Sequence, residues 1–296
     1  MKNSQRIYKH AYKISSQMPL KSQQTSEQSL KFIFDQEIDP AFAKRAEYII
    51  TKLQQNGSKS ILDVGCGRGY YIKLLSLLKF PKKIVGVDIK TSYLSKAREI
   101  TKHDKRVSVQ QASIYELPFK NNSFDAVICS EILEHLDNEA AALKEIYRIL
   151  RPQGVFLISV PHQHFPFLWD PLNWVLMRFF HTHIPKHIWW LAGIWADHER
   201  LYTKKQLTNI IQKQKFTVVD EQEFIRWCWP FTHFLLYGLG KNIVERMGAS
   251  EFDRFNVDNE KPLSRFLARL VRLPSVLLDK TLRIPVSQTL VMTARK

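Results

Sequence analysis

Acidic residues are scarce in this chain of 296 residues: 28 Asp and Glu stand against 44 Lys and Arg, a formal net charge of +16. That deficit implies attraction to polyanions, either nucleic acid or an anionic membrane surface, with a plain soluble basic surface as the alternative. Cysteine is scarcer still. Cys66, Cys129 and Cys228 lie far apart with neither metal nor disulfide spacing, which excludes a disulfide framework and suits a reducing compartment. Long apolar runs are missing, so no spanning helix is expected. The N-terminal stretch MKNSQRIYKHAYKISSQ is basic and polar without an apolar segment, and no secretory signal is expected. The predicted location is the cytoplasm, with peripheral attachment to the inner membrane face. Repeats and low-complexity tracts are also absent. Glycine is sparse, 10 in all, yet three fall in the nine residues Ile61–Gly69, ILDVGCGRG.

Residues 1–38, rich in Gln, Ser and Lys, read as a loosely held N-terminal arm. Asp39-Pro40 then opens a helix, Phe42, Ala46, Ile49, Ile50 and Leu53 share one face of it, and Asn56-Gly57 stops it. From Lys59, short β-rich runs alternate with helical ones: SILDV, KIVGVDI, RVSVQQA, FDAVICS and GVFLISV are strands. Continuous apolar strands with helical crossovers predict a parallel sheet covered on both faces, an α/β doubly wound fold. The core spans 39–160 and continues over 198–224, and KFTVVDEQEF and a final strand within 286–296 complete seven strands. Two insertions interrupt it: an aromatic one over 161–197 after the fifth strand, and a basic amphipathic one over 225–285 before the seventh.

In such sheets ligands bind beyond the carboxyl ends of the strands, where strand order reverses, and ILDVGCGRG lies at that edge. A dinucleotide loop, G-x-G-x-x-G, needs glycine at position 70, which is Tyr70. Asp63 at the approach to the loop would repel a pyrophosphate and attract an ammonium group. Asp88, ending the second strand, suits a ribose diol but is shared with dinucleotide binders.

These residues, with IVGVDIK, SIYELPFKNNSFDAVICSEILEHL, LKEIYRILRPQGVFLISVP and HERLYTKKQLTNIIQKQKFTVV in order, resemble the class I S-adenosylmethionine-dependent methyltransferases, in particular the type 11-like group with small-molecule and lipid substrates. The resemblance covers roughly 40–160, 198–224 and 286–296 and implies a Rossmann-like sheet with S-adenosyl-L-methionine as cofactor. It implies that Asp63, Gly65, Cys66, Gly67 and Gly69 border the methionine end of the cofactor, with Cys66 a small loop residue and no nucleophile. Asp88 would hold the ribose, Ile89 would pack on the adenine, Ser113 and Ile114 would lie at the adenine edge, and Ser130 would be a further cofactor-binding residue. Two departures stand out: Ser113 replaces a frequent Asp, and Gln153 replaces a usual glycine, affecting a turn.

Methyl transfer is an in-line displacement, so a base is needed only where the acceptor must lose a proton. His135 and His162 are the candidates, His135 in SEILEHL and His162 past the fifth strand in VPHQH beside His164. On a helix Glu131, Glu134 and His135 would share a face; no metal is expected, although these three are the set to watch. The first insertion carries Phe165, Phe167, Trp169, Trp174, Phe179, Phe180, Trp189, Trp190 and Trp195. It reads as a lid over an apolar acceptor, a membrane-interface element or a packed cap. In the second, Leu263, Phe266, Leu267, Leu270 and Val271 keep helical period with Arg265, Arg269 and Arg272 beside them. The expected acceptor is a small molecule that is lipid-like, prenylated or a glycolipid. An RNA or DNA methyltransferase is the alternative, disfavoured because CSEI lacks the Asn/Asp-Pro-Pro-aromatic run of base-amino methylators; a non-catalytic cofactor-binding module is another.

Overall fold

A computed structural model describes residues 26–188, 191–196, 198–236, 262–279 and 286–296. Its strands are β1 Ser60–Val64, β2 Lys83–Asp88, β3 Val107–Gln111, β4 Phe124–Ser130, β5 Leu150–Pro161, β6 Thr217–Phe224 and β7 Thr289–Arg295. They form one 7-stranded sheet in the order β3-β2-β1-β4-β5-β7-β6. Every pairing is parallel except those of β7, which runs antiparallel to β5 and β6. This is the doubly wound sheet expected. Its strand order reverses between β1 and β4, and there the crossovers to either side leave a crevice at the carboxyl edge.

Burial follows from strand position. Central β1 is buried along its whole length, whereas β3 and β6 at the two edges alternate with solvent. One core lies between the sheet and helices α1 (Ser26–Gln36), α2 (Pro40–Gln55), α3 (Tyr70–Ser76) and α4 (Thr91–Thr101). The other lies under α5 (Glu139–Ile149) and α7 (Lys204–Lys213). Local chemistry fixes the ends. Asp39 caps α2 by accepting from the Ala41 and Phe42 amides with Pro40 in the first turn, and Asn56-Gly57 terminates it, Gly57 at φ 64°. Gln153, where a glycine is usual, turns at φ 65°, so the chain bears a left-handed side chain there.

Two expectations need correction. The arm is not loose throughout: α1 starts at Ser26 and buries Leu30 and Ile33 against the core, because its apolar residues recur at helical spacing; residues 1–25 lie outside the described residues. The EILEHL segment is no α-helix, since Glu131 is left-handed at φ 56° and only Leu133–His135 form a single 3-10 turn. The second insertion contains the expected amphipathic helix α8 (Pro262–Leu278), whose apolar ridge faces outward while Ala268 and Ser275 face the protein. Residues 237–261 and 280–285 of that insertion, and Trp189 and Trp190 of the first, lie outside the described residues.

The first insertion folds into a cap around one buried acid. Asp170 caps helix α6 (Pro171–Phe179), accepting from the Asn173 amide (3.1 Å), Asn173 Nδ2 (2.8 Å) and the Ile194 amide (3.0 Å). Asn173 in turn donates to the Ala192 carbonyl and accepts from the Ile184 amide. Gly193 at φ 58° permits this closeness, because a Cβ there would stand 1.9 Å from Asp170 Oδ2. Phe165, Trp169, Ile194, Leu201, Ile225 and Cys228 form the apolar cluster beneath.

Candidate active site at the carboxyl edge

The glycine loop leaves β1 at the crevice. Gly65, Gly67 and Gly69 all hold positive φ, at 70°, 53° and 88°. The Gly65 and Cys66 amides donate to the Val87 carbonyl, tying the loop to β2. A Cβ on Gly65 would meet Ile132 Cδ1 at 2.2 Å, and one on Gly69 would meet Ala97 Cβ at 2.8 Å. Those two glycines serve packing. Around a Cβ on Gly67 nothing lies within 4 Å, so this middle glycine faces open space. Gly86 of β2, unnoticed in the sequence, has a matching role: a Cβ there would strike Ile72 and Cys66.

Two carboxylates border that space. Asp88 Oδ2 accepts from the Gly67 amide (2.9 Å) and Oδ1 from the Lys90 amide (2.8 Å). A carboxylate offers about four lone-pair sites, so it retains two for a diol. Asp63 is only 2% exposed, and its Oδ2 has no hydrogen-bond partner among the described residues. Burial pushes the Asp63 carboxyl well above the usual carboxylate range, and the charge of Asp88 adds to the shift. A buried acceptor without a donor costs free energy, and an ammonium group beside it removes that cost. Ile89 follows Asp88 with 64% of its surface exposed, its carbonyl held by Gln111 Nε2, as an apolar platform. Ile114 is buried nearby in sequence to Ser113, whose Oγ accepts from the Tyr115 amide. Cys66 is buried, and burial followed by the charges of Asp63 and Asp88 pushes its thiol far up, so it is no nucleophile.

Past β4 and β5 a polar network closes the site. Ser130 Oγ joins Tyr71 Oη (3.1 Å) and Ser159 Oγ (2.8 Å), and Ser159 Oγ donates to Glu131 Oε1 (3.0 Å). Arg45, from α2, pairs with the same Glu131 oxygen at 3.2 Å. Glu131 is therefore held by Arg45 and Ser159. Glu134 is fully buried, neither carboxylate oxygen has a hydrogen-bond partner among the described residues, and burial, then the Glu131 charge, pushes its carboxyl well up. The group beside it comes from elsewhere: His198 Nε2 lies 3.9 Å and His135 Nε2 3.8 Å from Glu134 Oε1, with the two rings stacked at 5.3 Å. His198 Nδ1 meets the Ile194 carbonyl at 2.5 Å, which turns Nε2 toward Glu134. Ligand atoms of Glu134, His135 and His198 all lie within 4.8 Å of one another, so this trio, and not Glu131, Glu134 and His135, has the geometry for a divalent ion.

The two candidate bases separate. The His135 side chain is 38% exposed at the crevice. His162 is buried, its Nδ1 bonded to Ser287 Oγ at 3.1 Å, and burial lowers it to about 4. It joins β5 to the returning chain at Tyr202 and stays a neutral, weakly basic structural group. The expectation of His162 as a base is thus replaced by a packing role. Sequence distance hid His198, Arg45, Tyr71 and Ser159 from the reading; no spacing links them to the loop.

Residues 62–158 match the family described as a methyltransferase domain. The chain is 30% identical over 121 residues to a Mycolicibacterium smegmatis protein named "Probable S-adenosylmethionine-dependent methyltransferase", covering 40% of this chain and 45% of that one. It is 30% identical over 145 residues to the mitochondrial ubiquinone biosynthesis O-methyltransferase of Saccharomyces cerevisiae, covering 47% and 44%. The chain thus spans less than half the length of these curated relatives. The solved YcgJ protein of Bacillus subtilis shares the fold, with a TM-score of 0.52 at 17% identity, covering 86% of this chain and 98% of that one. The crevice fits the cofactor of the matched family: an unpaired buried acid for an ammonium, a half-used carboxylate for a diol, and an exposed apolar residue for a base. Residues 62–158 therefore carry a methyltransferase domain, and the chain resembles the class I S-adenosylmethionine-dependent methyltransferases in sequence over that stretch and in fold.

Proposed function

We propose that the protein transfers a methyl group to a small-molecule acceptor that is lipid-like, prenylated or a glycolipid. S-adenosyl-L-methionine supplies an electrophilic methyl group on a sulfonium. Asp63 would hold the ammonium end, Asp88 the ribose diol, and Ile89 with Ile114 the adenine. The chain's remaining task is alignment and exclusion of water, with His135 as the base for a hydroxyl acceptor. The observation that carries the cofactor reading is the buried Asp63 oxygen without a donor.

The acceptor class rests on the cap. It follows β5 at the carboxyl edge and exposes Phe167, Leu172, Val175, Phe179 and Phe180, apolar surface suited to an apolar molecule. The relatives point the same way in part, one being named for ubiquinone biosynthesis. A cytoplasmic location is supported by Cys66, Cys129 and Cys228, all free and buried.

The test incubates the protein with methyl-labelled cofactor and a membrane lipid extract, with bulk RNA in a parallel arm. Label in an extractable lipid, lost on His135→Ala when the acceptor atom is oxygen, is the expected result. Label in RNA alone overturns the acceptor class.

A further inference from the structure

We propose that α8 and the Trp229–Leu235 segment form a docking face for an anionic lipid leaflet. This deepens the acceptor reading by saying where the acceptor phase lies, and it is tested without turnover. The helix α8 is apolar on more of its circumference than packing uses. Ala268 and Ser275 face the protein, and Arg272 donates to the Phe34 and Glu37 carbonyls, pinning the helix to the end of α1. On the opposite side Leu263, Phe266, Leu270, Leu273 and Leu277, at spacings of three and four, form a continuous ridge, each between 42% (Leu273) and 63% (Phe266) exposed. A surface helix ordinarily shows its polar side to water, so a ridge of five large apolar residues needs a covering phase.

The ridge is extended by neighbours. Trp229 Nε1 donates to the Leu270 carbonyl (2.8 Å), and Trp229, Phe231 and Leu235 are exposed beside it. An indole with its N–H satisfied and its ring in solvent suits the headgroup boundary.

Charge selects the occupant. Arg265, stacked over Phe32 at 5.2 Å, and exposed Arg269 lie along one flank of the ridge, and the whole chain carries +16. Cations beside an apolar ridge match anionic headgroups over acyl chains. No helix among the described residues is long and apolar enough to cross a membrane, so the face would lie along the interface and not span it. Position also agrees. The Arg226 and Trp227 amides donate to Asp279 Oδ1 just past α8, next to Phe224 at the carboxyl end of β6. That end of β6 lies level with Pro161 of β5 through Thr289, on the sheet edge that carries Asp63 and Asp88.

Flotation of the full chain with phosphatidylglycerol–phosphatidylcholine vesicles and with phosphatidylcholine vesicles tests the face. Wild type should float with the anionic vesicles, less so at high salt, and Phe266→Asp with Leu270→Asp should lower partitioning on the order of tenfold or more. Arg269→Glu should remove preference for anionic vesicles while leaving residual apolar binding. Both substituted positions are exposed, and unchanged calorimetric affinity for S-adenosylmethionine certifies the fold and separates this test from the cofactor reading. Quenching of Trp229 by brominated lipid, absent in Trp229→Phe difference spectra, locates the contact. The proposal falls if wild type does not float, if the double variant floats unchanged, or if those substitutions instead abolish a dimer of this chain.

Discussion

Substituting Gly67 distinguishes a ligand cradle from a tight turn. In Gly67→Ala the new methyl enters open space, since nothing lies within 4 Å of a Cβ there. Only the backbone conformation at φ 53° is penalised, about 1–2 kcal/mol. For a chain of this size that lowers the melting temperature by roughly 2–8 °C. Gly65→Ala is the control. Its φ of 70° brings the same cost, and overlap with Ile132 Cδ1 at 2.2 Å adds about 1–3 kcal/mol of overpacking. If the space over Gly67 is where the cofactor sits, its methyl displaces ligand atoms and affinity falls by about tenfold or more, about 1.4 kcal/mol. Differential scanning calorimetry gives the stability and titration calorimetry the affinity. The combination of a small stability loss with a large affinity loss is expected for Gly67→Ala. An affinity equal to that of wild type would refute the cradle and leave three glycines that shape a turn.

Other consequences follow from the buried titratable groups. Glu134 holds its carboxyl raised by burial, so the folded state binds the proton more tightly and stability falls as pH climbs from the ordinary carboxylate range through the raised value; Glu134→Gln, melted in chelator, should gain about 1–3 kcal/mol at neutral pH and nothing in acid. His162 is shifted the other way, to about 4 from 6.5, so stability is lost as pH falls between these values; His162→Asn should flatten that slope in acid melts and leave the neutral pH–rate profile unmoved. Asp170→Ala removes three acceptor contacts from the centre of the cap. It should cost about 2–4 kcal/mol and speed proteolytic cleavage within 165–196, read by mass spectrometry.

Much of this architecture was legible because local and global signals agree. Short apolar strands, Asp39-Pro40 and Asn56-Gly57 mark their elements without reference to the rest of the fold. Asp63, Asp88 and the glycines were legible because they lie at strand ends, where topology puts ligands. What stayed hidden depends on contacts across the fold. Glu131 looked like the third member of a set with Glu134 and His135, but it sits at a φ of 56° and pairs with Arg45, 86 positions away in sequence, and the clustered set takes His198 in its place. His198 reaches the site only because the cap folds back on Asp170. His162, with a loop position suited to chemistry, is covered by β7 and Ser287, which no nearby residue announces. The stripe alone left the orientation of α8 open; the small residues Ala268 and Ser275, and not the large ones, pack against the protein.

The central claim is that the unpaired Asp63 oxygen receives the ammonium of S-adenosylmethionine. Titration calorimetry of wild type and Asp63→Asn, run in buffers of different ionisation heat between about pH 5 and 8, addresses it directly, because a cation beside a raised carboxyl lowers it and expels its proton. Saturable binding with proton release is expected in the wild type, and weak binding without that release in Asp63→Asn. Preferential binding of a nicotinamide dinucleotide, or binding of S-adenosylmethionine that Asp63→Asn leaves intact, would contradict it.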